Sequence, residues 1–179
     1  MIRLGLLLAC ATLLHAATAC ADERTSALVE AFRASCVAEL PYFARINAKA
    51  EAAHLPVNME TGTPRQPDGP FNHLKSWIVQ APGGSYELSA TDARGPAGEV
   101  SACAITAPDG LGEEVKQELM KVLNLGSPGR EAVTVDGQRR SAWRVQVQGE
   151  GAILLLIDAT PVNRPGIYIN LTHRLAAGS

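Results

Sequence analysis

Aromatic residues and long apolar runs are both scarce in this sequence of 179 residues. Phe, Trp and Tyr together make up 4% of it, so any core must be built mainly from aliphatic side chains and alanine. After residue 21, no apolar run approaches the roughly 20 residues that span a bilayer, and we expect no transmembrane segment in the mature chain. Basic residues are not in excess, with 16 Lys and Arg against 18 Asp and Glu, which argues against a nucleic-acid partner.

Sequence motifs that carry well-known catalytic chemistry are also missing. No Gly-rich loop opens a helix to hold phosphate, because Gly83, Gly84, Gly95 and Gly98 lie between predicted strands. Neither a G-x-S-x-G nor an H-E-x-x-H pattern occurs. The four histidines are isolated from one another and from the cysteines, so we expect no metal site and no cofactor. The sequence therefore favours a protein that is not an enzyme.

What the sequence does contain, at its start, is an export leader. It begins MIRLGLLLACATLLHAATACADE, with Arg3 before an apolar run and small residues before the acidic Asp22. A short positive segment, an apolar segment and a small-x-small site, in that order, are typical of a secretory signal peptide. Cleavage after Ala21 would leave residues 22–179 as the mature chain, periplasmic or secreted. We expect these residues to form a single domain.

Cys20 offers a second processing route. Bacterial lipoproteins are cut before a cysteine that then carries lipid, and the small residues Thr18 and Ala19 precede Cys20 as that route requires. Ala17, however, stands where such sites usually have Leu. Residues 1–21 are therefore interpreted as a cleaved signal peptide, with a lipid anchor in the envelope through Cys20 as the alternative.

Two cysteines, Cys36 and Cys103, remain in the mature chain. Cys36 shares the apolar face of a predicted helix with Phe32 and Leu40, because these residues recur at intervals of four. Cys103 lies in the alternating stretch EVSACAITAP, a predicted strand. Disulfides persist in an oxidising compartment, and an inward helical cysteine meets a strand cysteine when the helix packs on the sheet. We predict a Cys36–Cys103 disulfide, with two buried free thiols as the alternative, and expect neither catalysis nor metal binding there.

The apolar pattern of the mature chain predicts two helical regions and two sets of strands. A helix over 24–40 continues beyond Pro41 to His54, and a second helix follows Asp109, which can cap it. The predicted strands are 73–80, 86–92, 99–107, a hairpin around Asp136 and Gly137, 152–160 and 166–175. This order predicts an α+β domain in which an N-terminal helix and a mid-chain helix pack on a mostly antiparallel sheet of about six to seven strands.

Residues 55–72, LPVNMETGTPRQPDGPFN, are predicted to form a long loop. Three prolines fall close together with two glycines nearby, and the apolar residues show no period. Loops of this length in compact domains are either functional or disordered. A role in recognition is one interpretation of this segment, and a simple connection between elements is the other.

Few polar residues stand where a site could form. His73 and Trp77 share a predicted strand beside the long loop and are the candidates for a ligand site. Asp158 interrupts the apolar strand AILLLIDAT, where it is either buried in a site or, as the simpler interpretation, caps a turn at the end of the strand. The predicted hairpin carries three arginines that could bind an anion: Arg139, Arg140 and Arg144.

The segments FRASC, WIVQ, YELS and VSACAI, in that order, resemble a family of small exported periplasmic proteins of Gram-negative bacteria, chiefly alphaproteobacteria. The resemblance covers about Phe32 to Ile105. It implies a helical cysteine ahead of a Trp-bearing strand, with a second cysteine in a later strand. The family is uncharacterised, so the resemblance implies no activity and no functional residue.

These observations predict an exported periplasmic protein, held by one disulfide, that serves as a non-enzymatic binding or accessory module for a protein or an envelope component. An envelope hydrolase with a site near His73 or Asp158 is the alternative from the enzyme class. An envelope protein anchored by lipid through Cys20 is the third hypothesis.

Overall fold

The structure is a computed structural model, and it describes six stretches of the chain: 23–38, 41–66, 69–96, 98–109, 112–159 and 166–175. The expected signal peptide, residues 1–21, and the lipidation candidate Cys20 lie outside these stretches. Within them, no helix is long and apolar enough to cross a membrane.

Three helical segments are described. Segment α1 is helical over 23–32 and continues as the π-helical stretch Arg33–Val37. Helix α2 spans Phe43–Ala52. The buried Pro41 lies between α1 and α2 and keeps them from forming one continuous helix, since proline has no N–H to donate to a helical hydrogen bond. Helix α3 spans Gly112–Val122 and carries acidic residues in its first turn, where the helix dipole favours them.

Eight strands form one antiparallel sheet. In chain order they are β1 Val57–Thr63, β2 Phe71–Ala81, β3 Gly84–Gly95, β4 Gly98–Ala107, β5 Arg130–Val133, β6 Arg139–Val147, β7 Glu150–Asp158 and β8 Ile167–Leu175. Their order across the sheet is β1-β2-β3-β4-β8-β7-β6-β5. The α+β class predicted from the sequence is confirmed, with a strand count slightly above the expected six to seven.

This order divides the molecule into two halves of the same plan. The N-half, residues 23–107, is α1 and α2 followed by the meander β1–β4, and the C-half, residues 112–175, is α3 followed by the meander β5–β8. The last strands of the two meanders, β4 and β8, pair antiparallel at the centre of the sheet. Each half therefore consists of a helical part followed by a four-stranded meander, and the halves meet at β4 and β8.

The prediction of a loop over 55–72 was wrong for half of its residues, which belong to strands. Strand β1 occupies Val57–Thr63 and pairs with β2, and residues 71 and 72 already belong to β2. Every residue of β1 is exposed, since it is the edge strand of the sheet. A strand that is exposed on both faces needs no alternation of apolar and polar residues, so its sequence did not reveal it.

The hairpin turns also differ from the expectation. The turn at Asp136 and Gly137 belongs to a five-residue connection, with a hydrogen bond from the Thr134 N–H to the Gln138 carbonyl at 2.9 Å. The two-residue turn of the C-half is instead at Gln148 and Gly149, whose φ values of 53° and 84° are both positive. Two positive φ values define a type I′ turn, whose twist matches that of the flanking strands.

Alternation along the strands gives the sheet two different faces. On the inner face, buried side chains pack against α1–α3 and include Trp77, Leu88, Ile105, Leu154 and Ile169. Contacts from all three helices reach this face, including the backbone N–H of Phe43, which donates to Ser101 Oγ at 3.2 Å. On the outer face, no described helix packs against the strands, and most side chains are half-buried or exposed.

The predicted disulfide is present. Cys36 of α1 and Cys103 of β4 are both fully buried, with their Cα atoms 5.4 Å apart. Cys103 lies on the inner face near the centre of the sheet, so the disulfide joins the first helix to the core. The alternative of two free thiols is excluded in this structure.

Candidate functional site

The described helices leave the outer face of the sheet uncovered. Successive Cα partners cross it in straight rows, as in the row Leu74, Thr91, Ala102, Thr172, Ile153 and Arg144. Small residues line its centre on β3 and β4, which makes this part of the face flat. A flat sheet face with small and short polar side chains has the shape of a docking surface rather than of a substrate cleft.

Along the middle of this face, three polar side chains of β8 are joined by hydrogen bonds. Asn170 Nδ2 donates to Tyr168 Oη at 3.0 Å, and Thr172 Oγ1 donates to Asn170 Oδ1 at 2.6 Å. Burial, opposed by the hydrogen bond from Asn170, raises the pKa of the Tyr168 hydroxyl above its usual range. These three side chains are therefore held in one arrangement before any partner arrives.

Positive charge on the outer face is concentrated in the C-half. Four exposed arginines lie there: Arg130 of β5, Arg140 and Arg144 of β6, and Arg174 of β8. Among the described residues, the outer positions of β5–β8 hold no Asp or Glu, and none of the four guanidinium groups forms an ion pair. Arg140 donates only to the side chain of Gln138, at 3.3 Å. We call these four residues the arginine face.

The outer face of the N-half differs in charge. Its single carboxylate is Glu87 of β3, and Asn58 Nδ2 of the edge strand donates to it at 3.0 Å. No Lys or Arg lies on the outer positions of β1–β4 within the described residues. Among the described residues, only the C-half presents a positively charged outer surface.

Sequence reasoning identified this surface only in part. Arg140 and Arg144 were predicted as part of an anion-binding hairpin, but Arg139 lies on the inner face, opposite Asp158. Arg130 and Arg174 were not predicted, because they lie on other strands, 10 or more residues away in the sequence. The alternation of each strand would have placed these residues on one face had the strand pairing been known.

The structure places the candidate ligand residues His73 and Trp77 on the inner face. Trp77 has no exposed surface, and it packs in the core. His73 Nε2 lies 2.9 Å from Glu60 Oε1, and its ring stacks on Phe43 with centroids 4.4 Å apart. The hydrogen bond from His73 lowers the pKa of the exposed Glu60 carboxyl. Both residues therefore have contacts that account for them as structural groups.

Asp158 lies at the end of β7, buried against the start of α3. Only 6% of its surface is exposed, and a methyl group on Gly112 would overlap its carboxylate. It lies at the floor of a cavity of about 340 Å³ between α3 and the β5–β6 hairpin, together with Ser141 and Leu156. The expectation that Asp158 lies at a strand end is met, and the residue is also buried.

The charges around this cavity neutralise one another. Lys116 of α3 forms an ion pair with Glu131 of β5, and Ser141 Oγ donates to the same carboxylate at 3.2 Å. The hydrogen bond from Lys116 lowers the pKa of Glu131. The cavity also lies at the other end of the sheet from His73, since four inter-strand steps of about 4.8 Å separate β2 from β7. His73 and Asp158 cannot belong to one active site.

A second ionic cluster, which sequence reasoning missed, lies on the inner face of the N-half. Arg65 bridges two carboxylates, with Nη1 3.1 Å from Asp92 Oδ2 and Nη2 2.5 Å from Glu99 Oε2. Arg65 and Arg94 both lie over the ring of Phe71, at 5.4 and 5.2 Å from its centroid. Burial raises the pKa of Asp92, and Arg65 opposes that shift.

No group of three or more His, Cys, Asp and Glu side chains within the described residues could hold a metal ion. Comparison with known proteins gives no relative, because no protein-family model, curated protein or solved structure matches this chain. The candidate site is therefore identified by its own geometry, as the arginine face of the C-half.

Proposed function

We propose that this chain is an exported, non-enzymatic binding module that docks an acidic protein segment on its arginine face. One observation carries the proposal: four exposed arginines, without ion-pair partners among the described residues, share a sheet face that no described helix covers. Unpaired guanidinium groups on an uncovered face attract carboxylates and bind them bidentately. The formal net charge of the whole chain is −2, so this positive surface results from an uneven distribution of charge.

An acidic protein fits this face better than a membrane does. Membrane-surface binding requires bulky apolar or aromatic side chains that enter the headgroup region among the basic residues. Tyr168 is the only aromatic residue at the outer positions described, and it is half-buried and hydrogen-bonded to Asn170. Ile153 is the one large apolar side chain of the C-half strands that is exposed on this face.

Two features support a periplasmic or secreted location for this module. The leader at residues 1–21 has the order of a secretory signal peptide, and the buried Cys36–Cys103 disulfide suits an oxidising environment. The intact mass of the protein from whole cells distinguishes the two processing routes. A mature chain beginning at Asp22 supports a periplasmic or secreted module, whereas a lipid adduct on Cys20 would place the module on a membrane anchor.

The experiment is a binding titration with poly-L-glutamate, a soluble acidic polypeptide, followed by fluorescence anisotropy. We expect the mature protein to bind it in a salt-dependent manner. The double variant R140E/R144E should bind about tenfold more weakly, because losing each exposed charge contact costs about 0.7 kcal/mol. The matched control is K49E/K121E, which changes the net charge equally but alters exposed residues of α2 and α3.

Two outcomes would contradict the proposal. The first is equal weakening by R140E/R144E and K49E/K121E, which would show that net charge rather than the arginine face determines binding. The second is binding to phosphatidylglycerol vesicles with none to poly-L-glutamate, which would identify a lipid surface as the partner.

A further inference from the structure

The β5–β6 edge of the sheet is left incomplete. Strand β5 pairs with Arg139–Ala142 of β6 only, whereas β6 continues to Val147. Beyond Ala142, β6 has β7 on one side and the connection 123–129 on the other. A groove of about 1020 Å³ separates this connection from the strand.

Backbone groups of β6 point into this groove. The type I′ turn at Gln148 and Gly149 is closed by the pair Val147–Glu150, and the closing pair of a two-residue hairpin is hydrogen-bonded. Hydrogen-bonded and non-hydrogen-bonded pairs alternate along antiparallel strands. The N–H and C=O groups of Arg144 and Gln146 therefore point away from β7, towards the groove. A free strand edge of this kind can pair with an extended segment of another chain.

The side chains that line the groove indicate which peptide residues it would bind. Arg130 and Arg144 lie on its outer side, and no Asp or Glu is among the residues that line it. Its inner side is apolar and includes Leu125 and Val145, while Trp143 Nε1 donates to the Gly126 carbonyl at 3.0 Å and holds the connection in place. The groove is therefore positive on one side and apolar on the other.

We propose that an extended acidic peptide adds to the sheet as an antiparallel strand beside Arg144–Val147 of β6. This inference rests on the proposed function, because it specifies how the acidic partner is held at the C-half end of the arginine face. Residues of the peptide opposite Arg144 and Gln146 place their side chains on the outer face, so acidic residues belong there. The residues between them face Leu125 and Val145, so apolar residues belong there. The bound segment alternates acidic and apolar residues.

The probe is the pentapeptide acetyl-Glu-Val-Glu-Val-Glu-amide, with affinity measured by calorimetry on the mature protein. In antiparallel addition the Glu amides face β6 and the Val amides face solvent. N-methylation of the three Glu amides should weaken binding by about tenfold, since two of these amides lose their hydrogen bonds to Arg144 and Gln146 and each bond lost costs a severalfold change in affinity. N-methylation of the two Val amides should leave the affinity nearly unchanged. The charges are identical in the two modified peptides.

A variant of the protein tests the same contact from the other side. Gln146→Pro removes the N–H that points into the groove, and proline is tolerated at an edge position whose N–H does not bond to the sheet. We expect Q146P to lose peptide affinity severalfold, because one hydrogen bond is lost, whereas the control Q146T keeps the N–H and the affinity. Amide hydrogen exchange of Arg144 and Gln146 should slow when the peptide binds to the wild-type protein.

Failure of this inference is distinguishable from failure of the proposed function. Equal affinity for the two N-methylated peptides would overturn strand addition, and so would the absence of peptide binding or of slowed exchange at Arg144 and Gln146. Binding of poly-L-glutamate that R140E/R144E weakens would still support the arginine face in either case. If Q146P unfolds, the comparison of the two modified peptides on the wild-type protein decides alone.

Discussion

The two halves of this molecule follow one plan but are held together and exposed to solvent in different ways. In the N-half, α1 is joined to β4 by the Cys36–Cys103 disulfide, and the charged residues Arg65, Asp92 and Glu99 pair with one another on the inner face. In the C-half, α3 is held by buried apolar residues and by the Lys116–Glu131 ion pair, without a disulfide. Its arginines lie on the outer face without ion-pair partners among the described residues.

This difference is what leads us to propose different roles for the two halves. Charges that are paired inside a fold contribute to its structure, whereas unpaired charges on an uncovered face remain available to a partner. The outer strands differ in the same way. Strand β1 pairs with six residues of β2, Asn72–Trp77, whereas β5 pairs with only the four residues Arg139–Ala142 of β6 and leaves a longer free edge. Under the proposed function, the N-half is the structural half and the C-half is the binding half.

The largest expected effect comes from removing the disulfide. In the chain-entropy model, closing a loop between residues 67 positions apart contributes about 4 kcal/mol to the free energy of unfolding. We expect the double variant C36A/C103A to lose an amount of that order in urea unfolding. Amide exchange should accelerate first in α1. Equal acceleration in α1 and α3 would contradict the account, because the disulfide joins α1 alone to the sheet.

The second largest effect is a loss of stability caused by a substitution in the C-half. Gly112→Ala places a methyl group against the Asp158 carboxylate, and we expect a loss of about 1–3 kcal/mol of stability because overpacking forces the buried groups apart. Gly126→Ala is the matched control, since no atom lies within 4 Å of a methyl group there. Thermal unfolding of both variants checks this. Equal melting temperatures for the two variants would show that Asp158 has room to move.

A smaller effect concerns the groove. Trp143→Phe keeps the buried ring but removes the hydrogen bond to the Gly126 carbonyl. We expect about 1 kcal/mol of lost stability and faster amide exchange in the connection 123–129, measured by NMR. Unchanged exchange in this connection would mean that the indole N–H does not hold it.

Much of this fold could be predicted from the sequence, and the failures have physical reasons. The disulfide was predicted because Cys36 lies among apolar residues at helical spacing and Cys103 lies in an alternating strand. Helix α3 was predicted because apolar residues recur at helical spacing after Asp109. Strand β1 was missed because its residues are exposed on both faces. The arginine face was missed in part because Arg130 and Arg174 come together only through the pairing of β5–β8. Strand pairing depends on contacts between distant residues, and no local pattern reports it.

The smallest effects are expected in the pH dependence of stability, with opposite signs in the two halves. Burial raises the pKa of Asp92, so its folded form binds a proton more readily than the unfolded chain does. Its contribution to stability therefore falls as the pH rises above about 3.9, the usual pKa of Asp. The pKa of Glu131 is lowered by Lys116, so its contribution is present above about 4.3 and is lost as the pH falls.

Two substitutions separate these signs. Relative to wild type, Asp92→Asn should become more stable as the pH rises from about 3.5 to 7, and Glu131→Gln should become less stable over that range. Melting temperatures measured across this range check both. If the melting temperatures of the two variants changed with pH in the same direction relative to wild type, the opposite pKa shifts of Asp92 and Glu131 would be contradicted.

The most direct test of the account is a map of backbone amide shifts in the mature protein as poly-L-glutamate is added. The account predicts that the largest changes cluster on β5–β8 around Arg130, Arg140, Arg144 and Arg174, with little change in α1–α3 or on the outer face of β1–β4. Changes centred on the helices, or on the outer face of the N-half, would contradict it.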